Sequence, residues 1–400
     1  MLINTDKKAI EELLTRGVTE VINREHLEKA LGSGKQLRIK LGIDPTSPNI
    51  HLGRAVCLFK LRDFQKLGHK VVFLIGDFTG IIGDTSDKDS ERPMLSEEIV
   101  QENMKSYVAQ AGKILDLDQV EVRNNSEWLS KLGYKEITEQ ANIFSISDFI
   151  ARENIKKRLD AGKHISLREV LYPLMQGYDS VAVKADVELG GTDQRFNLLS
   201  GRALQAHYGQ EPQDFVMTSI LPGTDGRKMS SSWGNTINLT DSARDMFGKL
   251  MSIPDNLIMD YFIHVTRVEM DKIAEYEKQL KSGANPRDIK MILAETIVEM
   301  FYSKDEAEAE KDWFIKTFSQ KQTPTDIPKV QIGKDKDTIM EILKVCFAGE
   351  RSNGDIRRLL EQNAISIGDK TIADQNQEID LSGSPVTVKA GKTTWFEVSK

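Results

Sequence analysis

The chain has 400 residues, of which 39% are hydrophobic, and a formal net charge of −7. This length predicts two or three domains, because single hydrophobic cores stop growing well below it. Composition excludes a membrane-spanning run of apolar residues, and two cysteines, Cys57 and Cys346, support neither a disulfide framework nor a zinc site. Apolar residues recur at helical spacing from Ile10 to Ile22, so we expect an N-terminal helix rather than a targeting segment, and a cytoplasmic protein.

The segment KLGIDPTSPNIHLGR, residues 40–54, connects a predicted strand to a predicted helix. Alternating apolar residues over Leu37–Ile43 indicate the strand, and the apolar run Leu52–Leu67 indicates the helix. Parallel sheets bind ligands beyond the carboxyl ends of their strands, where a helix N-terminus attracts phosphate. His51 and Arg54 fall in the first turn of this helix, so the segment predicts nucleotide binding.

Further strands and helices are predicted downstream. Val71–Asp77 is a continuous apolar run, typical of a strand buried on both faces, and a turn-rich stretch follows it over Phe78–Pro93. We expect a helix over Glu97–Leu115, a strand over Gln119–Arg123 and broken helices from Asn142 to about Ala182. Neither the G-x-G-x-x-G nor the G-x-x-x-x-G-K-[ST] motif occurs, which excludes the ordinary dinucleotide and P-loop sites.

Two glycine-containing segments follow later strands. Alternation over Ser180–Leu189 predicts a strand that runs into GGTDQ, where Asp193 either accepts from ribose hydroxyls or caps a Gly-Gly turn. A strand-like run over Phe215–Ile220 leads to a loop that contains KMSSS, Lys228–Ser232. Both segments therefore predict loops at the carboxyl ends of strands.

The last third of the chain is predicted to be helical and then mixed. Helices are expected at 241–252, 255–264, 268–281, 286–302 and 305–318. Beyond a charged, proline-containing stretch, a helix is predicted over Ile339–Phe347, and a second helix carries arginines in its first turns, Arg351, Arg357 and Arg358. Short strands follow at 365–367, 386–388 and 395–398. The arginines indicate either contacts with RNA phosphates or a solvated charged helix.

Six motifs carry a resemblance to a known family, in the order LGIDPT, HLGR, IGDFTGIIGD, YPLMQGYD, VELGGTDQRFN and KMSSS. HLGR and KMSSS resemble the HIGH and KMSKS signatures of class I aminoacyl-tRNA synthetases. The whole series is similar to bacterial tyrosyl-tRNA synthetases over essentially the entire chain. Residues 338–400 resemble an S4-type RNA-binding domain.

The resemblance implies an α/β fold with a Rossmann-like parallel-sheet catalytic domain, an α-helical domain and a small α+β S4-like domain. The implied boundaries are 1–226 for the catalytic domain with a helical connecting insertion at about 125–185, 227–320 for the KMSKS loop and the helical domain on the anticodon side, 321–337 for a linker, and 338–400 for the RNA-binding domain. The family also works as a homodimer, with its interface near the insertion.

The implied reaction has two steps. ATP activates L-tyrosine to tyrosyl-adenylate with release of pyrophosphate, and the tyrosyl group then passes to the 3′ end of tRNA(Tyr). ATP is a substrate that brings Mg²⁺ with it, and no protein-bound metal is expected. The implied partners are therefore tyrosine, ATP, tRNA(Tyr) and a second copy of the chain.

Site residues are carried over from the family motifs position by position. The implied catalytic residues are His51, Arg54, Lys228, Lys88 and Arg92. The further residues implied at ATP are Asp44, Thr46, Gly53, Gly191, Asp193, Met229 and Ser230. Those implied at tyrosine are Lys40, Gly42, Asp84, Tyr172, Gln176, Asp179 and Gln194, and those at RNA are Arg351, Arg357 and Arg358. Lys88 and Arg92 also fit solvated loop charges.

Three positions depart from the family signatures. Arg54 replaces the second histidine of HIGH, Ser231 replaces the second lysine of KMSKS, and Lys40 stands where one branch of the family has a tyrosine that binds the phenol. Arginine keeps a phosphate-binding cation but has no neutral state. Two alternatives therefore stay open: a tryptophanyl-type class I synthetase, and a non-catalytic paralogue that only binds RNA.

Overall fold

The computed structural model describes residues 2–85, 94–319, 327–368, 370–391 and 394–400. The chain divides into two compact units, Met1–Asp241 with Lys249–Ile297 and Ser242–Gly248 with Val298–Lys400. Among the helices in the described ranges, none is both long enough and apolar enough to cross a membrane. The α/β fold class predicted from the sequence is confirmed, while the boundaries at 226, 320 and 337 stay predictions.

A six-stranded sheet lies in the first unit. Its strands are β1 Val18–Ile22, β2 Arg38–Ile43, β3 Lys70–Ile75, β4 Val120–Asn124, β5 Val187–Gly191 and β6 Asp214–Thr218. They lie in the order β1-β6-β5-β2-β3-β4, and all neighbours are parallel except the edge pair β1 and β6. The chain proceeds from β2 towards one edge and returns on the other side of β2 with β5, so a topological switch point lies between these strands.

The helices of the first 320 residues fall into two groups along the chain. The first group comprises α1 Lys7–Thr15, α2 Arg24–Gly32, α3 Leu52–Lys66, α4 Asp77–Ile82, α5 Glu97–Met104, α6 Tyr107–Ala111, α7 Ser126–Leu129, α8 Tyr134–Ala141, α9 Ile146–Ile150, α10 Glu153–Asp160, α11 Leu167–Val183 and α12 Arg195–His207. The second group comprises α13 Ala243–Ser252, α14 Ile258–Val265, α15 Met270–Lys281, α16 Pro286–Phe301 and α17 Lys304–Phe314. Helices were predicted in each region of the second group. In β3, Val71–Ile75 is buried throughout, as the apolar run predicted.

The described residues of the C-terminal region, 327–368, 370–391 and 394–400, form two small sheets and two helices. Strands β7 Lys329–Gln331, β9 Ile365–Ile367, β10 Lys370–Ile372, β12 Val386–Ala390 and β13 Trp395–Ser399 form one sheet, and β8 Lys336–Thr338 pairs with β11 Glu378–Asp380 in the other. Helices α18 Ile339–Phe347 and α19 Asn353–Glu361 pack their apolar faces onto a common core. Strand β7 falls within the segment predicted as a linker and pairs in parallel with β13.

Two predicted elements are wrong in type. The N-terminal helix ends at Thr15, Gly17 has a positive φ of 64°, and Val18–Ile22 is a strand that pairs with β6. Ser180–Val183 is the end of α11 and not the start of a strand, because Lys184 ends the helix with a left-handed φ of 50°. At the end of α11, Ser180, Val181 and Val183 are all buried, so their apolar pattern resembles a strand, whereas Val18–Ile22 becomes a strand through its pairing with β6.

Two predicted helices have different bounds. The helix predicted over Glu97–Leu115 is interrupted between α5 and α6. The Tyr107 hydroxyl donates to Ser47 O at 2.7 Å, so α6 is held by a tertiary contact that the local sequence does not reveal. Arg351 precedes α19, because Ser352 caps that helix.

Candidate active site

A cavity of about 570 Å³ opens beyond the carboxyl ends of β2 and β5, at the topological switch point. Every residue implied at ATP or tyrosine that the structure describes lines this cavity, namely Lys40, Gly42, Asp44, Thr46, His51, Gly53, Arg54, Asp84, Tyr172, Gln176, Asp179, Gly191, Asp193, Gln194, Lys228, Met229 and Ser230. Lys88 and Arg92 lie outside the described residues. The residues at the HLGR and KMSSS motifs thus face one space.

His51 caps the N-terminus of α3. Its Nδ1 accepts a hydrogen bond from the Arg54 backbone N–H at 3.3 Å, so the ring proton belongs on Nε2. Burial, together with the charges of Arg54 and Lys228, lowers the pKa of His51 to about 3. His51 is therefore a neutral imidazole at physiological pH and a donor through Nε2.

Arg54 is held within the turn that follows β2. Its guanidinium donates to the Tyr107 hydroxyl at 2.9 Å and to Thr46 Oγ1 at 2.8 Å. Both partners are neutral oxygens, so the positive charge of Arg54 is not cancelled by these two contacts. It adds to the positive end of the α3 dipole beside the cavity.

Asp44 lies deeper, between β2 and the helices around the cavity. Its carboxylate accepts from Thr79 Oγ1 and from the Tyr172 hydroxyl, each at 2.8 Å. Burial raises the pKa of Asp44 to about 6, although these two hydrogen bonds act in the opposite direction. Asp44 thus joins the turn after β2 to the first part of α11.

The KMSSS loop packs directly on the N-terminus of α3. Met229 is buried, and its sulfur accepts from the Gly53 N–H at 3.3 Å. A Cβ atom on Gly53 would lie 3.1 Å from His51 Nδ1 and 3.2 Å from Met229 Cβ, so glycine permits this close approach. Lys228 Nζ lies 3.2 Å from Asp193 Oδ2, which joins the KMSSS loop to the loop after β5.

Asp179 is the buried acceptor at the tyrosine end of the predicted site, and it is 3% exposed. Trp128 Nε1 donates to one of its carboxylate oxygens at 2.8 Å, and Asn125 Nδ2 donates to the other at 3.2 Å. Burial raises the pKa of Asp179 to about 7, against the opposing charge of Lys40. Trp128, in α7, and Asn125, which precedes that helix, were missed from the sequence because no local pattern marks them.

Lys40 and Glu188 form a buried ion pair in the wall of the cavity. They are register partners on β2 and β5, with Lys40 Nζ 2.9 Å from Glu188 Oε1 and side chains 1% and 2% exposed. Lys40 Nζ also donates to Ser180 Oγ and to the Gln176 carbonyl, both on α11. Glu188 was also missed, although an acidic residue inside an otherwise buried strand is a sequence signal for a paired charge.

The predicted RNA-binding arginines belong to the second unit and are exposed. The Arg351 guanidinium lies 4.9 Å from the ring centre of Phe347, and Arg358 pairs with Asp355 at 2.7 Å. Within the described ranges, no cluster of three or more histidine, cysteine, aspartate or glutamate side chains could hold a metal ion.

The family described as tRNA synthetases class I (W and Y) matches residues 32–319. A Tyrosine--tRNA ligase of Carboxydothermus hydrogenoformans is 45% identical over 397 residues, 97% of each chain. A Tyrosine--tRNA ligase of Aquifex aeolicus is 42% identical over 387 residues, which cover 96% of this chain and 97% of the relative.

Solved structures share the fold. A C-terminally truncated mitochondrial tyrosyl-tRNA synthetase of Aspergillus nidulans superposes with a TM-score of 0.65 at 23% identity, covering 78% of this chain and 95% of that chain. A tyrosyl-tRNA synthetase of Archaeoglobus fulgidus complexed with L-tyrosine superposes with a TM-score of 0.61 at 24% identity, covering 76% of this chain and 100% of that chain.

Proposed function

The chain belongs to the class I tRNA synthetases of the tryptophan and tyrosine type, and from this premise we propose that it is a tyrosine–tRNA ligase. It activates L-tyrosine with ATP and transfers the tyrosyl group to the 3′ end of tRNA(Tyr). The observation that carries the proposal is the single cavity lined by His51, Lys228 and Asp179. That cavity combines phosphate-binding groups with a buried acceptor for a hydroxyl.

ATP lies across the N-terminus of α3 in this proposal. The neutral His51 donates through Nε2 to the triphosphate, and Arg54 and the helix dipole add positive charge. Lys228 leaves Asp193 and binds the pyrophosphate, which frees Asp193 to accept from the ribose hydroxyls. The remaining positions proposed at ATP are Asp44, Thr46, Gly53, Gly191, Met229 and Ser230, with Lys88 and Arg92 at the pyrophosphate.

The reaction requires positioning and charge stabilisation, not a protein nucleophile. A tyrosine carboxylate oxygen attacks the α-phosphorus, the bond to the bridging oxygen breaks, and pyrophosphate leaves with Mg²⁺ as its counterion. Lys228 and the His51 N–H stabilise charge that grows on the leaving group. In the second step a terminal ribose hydroxyl of the tRNA attacks the tyrosyl carbonyl, and AMP leaves.

Tyrosine is selected at the other end of the cavity. Asp179 accepts the phenol hydroxyl, while Tyr172, Gln176 and Asp84 bind the ammonium and Gln194 lies near the carboxylate. Phenylalanine would leave Asp179 with only Trp128 and Asn125 as donors and would lose the hydrogen bond from the phenol, at a cost of about 1–3 kcal/mol. Two further positions, assigned to the wall of this pocket, are Lys40 and Gly42.

The test is pyrophosphate exchange into ATP across a panel of amino acids. We expect exchange with tyrosine and little with phenylalanine or tryptophan. Exchange with tryptophan alone would instead establish a tryptophanyl-type enzyme. RNA binding without any exchange would establish the non-catalytic paralogue.

The RNA partner is tRNA(Tyr), bound in part by the C-terminal region in the cytoplasm. Arg351, Arg357 and Arg358 are exposed near the start of α19, where their charges can reach phosphates. The folded core around α18 and α19 gives these arginines a rigid support, in keeping with recognition of RNA by shape.

The chain also forms a homodimer in this proposal. Large apolar side chains are exposed within residues 125–185, with Tyr134 92%, Leu167 68% and Ile146 63% exposed. A second copy would cover these side chains and remove their apolar surface from water. Light scattering should give a dimer for the wild type and a monomer for the combined Ile146→Glu and Leu167→Glu variant. A monomeric wild type would contradict the assignment.

A further inference from the structure

The amide groups of Gln176 and Gln194 each have a carboxylate at one end. Gln176 Nε2 lies 3.3 Å from Glu188 Oε1, and Gln194 Nε2 lies 2.8 Å from Asp84 Oδ2. An ionised carboxylate only accepts hydrogen bonds, so each glutamine turns its NH₂ group towards the carboxylate. The carbonyl oxygens of both glutamines therefore point the other way.

Both carbonyl oxygens converge on Asn197, in the first turn of α12. Asn197 Nδ2 lies 3.0 Å from Gln176 Oε1 and 3.0 Å from Gln194 Oε1. An amide NH₂ has two N–H bonds, so these contacts use both. Asn197 is 1% exposed and lies behind the two glutamines, which line the cavity.

The carbonyl oxygen of the Asn197 amide indicates that the two glutamines fix the orientation of this side chain. Asn197 Oδ1 is buried and has no hydrogen-bond partner among the residues that the structure describes. A buried carbonyl without a partner is unfavourable, and rotating the amide by 180° would place this oxygen against two other carbonyl oxygens. The Asn197 amide is thus held in one orientation because the carbonyl oxygens of Gln176 and Gln194 both accept from its NH₂ group.

We propose that Asn197 is a positioning residue for tyrosine activation, which sets the orientation of the Gln176 and Gln194 amides towards the amino-acid backbone of the substrate. The inference rests on the proposed function. A fixed Gln176 Oε1 offers its second lone pair to the substrate ammonium, whereas a reversed amide would present N–H groups to a cation. Asn197 itself touches neither substrate.

The test compares Asn197→Asp with the wild type in tyrosine-dependent pyrophosphate exchange. Aspartate keeps the shape of the side chain but presents oxygen to both glutamine carbonyls, so at least one amide must turn. We expect the KM for tyrosine to rise roughly ten- to a hundredfold, because a hydrogen-bonded contact to a charged group is lost. The KM for ATP should stay within about twofold, which is below the effect of one neutral hydrogen bond.

Two ligands separate positioning from a general structural role. Tyramine keeps the ammonium group, and 3-(4-hydroxyphenyl)propionate lacks it. Gln176 has the longer contact to its carboxylate, 3.3 Å against 2.8 Å for Gln194, so Gln176 is the amide that should turn. As competitive inhibitors, tyramine should therefore lose affinity for the variant, while the propionate should bind both proteins equally. Asn197→Ala, which removes the donor without adding a charge, should show the same pattern if the aspartate variant does not fold.

Gln205→Glu is the matched control. Gln205 is a buried amide on the same helix, and its Nε2 donates to the Ala185 carbonyl at 2.8 Å. The substitution again turns an amide into an acid, and the thermal stability should fall without a selective rise in the KM for tyrosine. This result would show that acid substitution in α12 alone does not produce the Asn197 phenotype.

Three results would overturn the inference. Asn197→Asp could leave the KM for tyrosine within about twofold of wild type, less than the loss of one hydrogen bond requires. Alternatively, tyramine and the propionate could lose affinity equally, or Gln205→Glu could reproduce the selective rise. A wild-type protein without tyrosine-dependent exchange would instead refute the proposed function, and the inference with it.

Discussion

Replacing Asp179 with asparagine should change the pH dependence of stability in a defined direction. Burial raises the pKa of Asp179 from 3.8 to about 7. Between these values the folded chain keeps a proton that the unfolded chain has lost. The wild type therefore loses stability as pH rises from about 4 to about 7, and the loss is complete above pH 7 because the group is then ionised in both states.

The size of the effect follows from the same two pKa values. A rise from 3.8 to about 7 corresponds to about 4 kcal/mol of stability lost across this window. Asparagine does not titrate, so the stability of Asp179→Asn minus that of the wild type should grow by about this amount between pH 4 and pH 8. Changed hydrogen bonds with Trp128 and Asn125 add a constant offset to this difference in stability. The pH dependence of the difference comes from the Asp179 carboxyl group of the wild type.

Thermal unfolding of both proteins at several pH values is the assay. At about 2 °C per kcal/mol for a large domain, the difference in Tm should widen by roughly 8 °C. Asp118→Asn, at an exposed carboxylate, is the control, and its Tm difference should stay nearly constant. A flat difference for Asp179→Asn would refute the claim that burial controls this carboxylate. Selection of tyrosine over phenylalanine should fall in the same variant.

Three other changes test the remaining features. Lys228→Ala should lower kcat for pyrophosphate exchange and leave tyrosine binding by calorimetry nearly unchanged, whereas equal losses would refute the leaving-group role. Lys40→Met should cost about 3–5 kcal/mol of stability because it leaves a buried carboxylate without its cation. Adding Glu188→Gln should recover much of that loss, and identical unfolding midpoints for the single and double variants would contradict this account. Arg357→Glu with Arg358→Glu should impair aminoacylation and spare pyrophosphate exchange; unchanged aminoacylation would remove these arginines from the RNA interface.

Much of the site could be read from the sequence because its residues occur in short segments at the ends of elements. The segment that ends in His51 and Arg54 contains its own strand, turn and helix start, so its position beyond the sheet follows from local patterns. Tyr172, Gln176 and Asp179 lie at helical spacing, which predicts a shared face regardless of what packs around it. In the folded chain these segments line one cavity, as expected for segments that follow the carboxyl ends of parallel strands.

Side chains that support the site could not be identified in this way, because their partners are remote in the chain. Glu188 becomes the partner of Lys40 only when β5 lies beside β2, and Trp128 meets Asp179 only when α7 approaches α11. Asn197 is an ordinary polar residue of a helix until two glutamines from different segments meet its NH₂ group.

By itself, the sequence determined the fold class, the family motifs and many of the side chains that line the cavity, since each depends on periodicity or on a short segment. The tertiary structure decided that Val18–Ile22 is a strand, because it pairs with β6, and that α11 extends to Val183, because burial on several sides hides the local period there. It also decided the direction in which the pKa values of His51 and Asp179 shift. Their pKa values depend on the surrounding density of protein, which only the folded chain supplies.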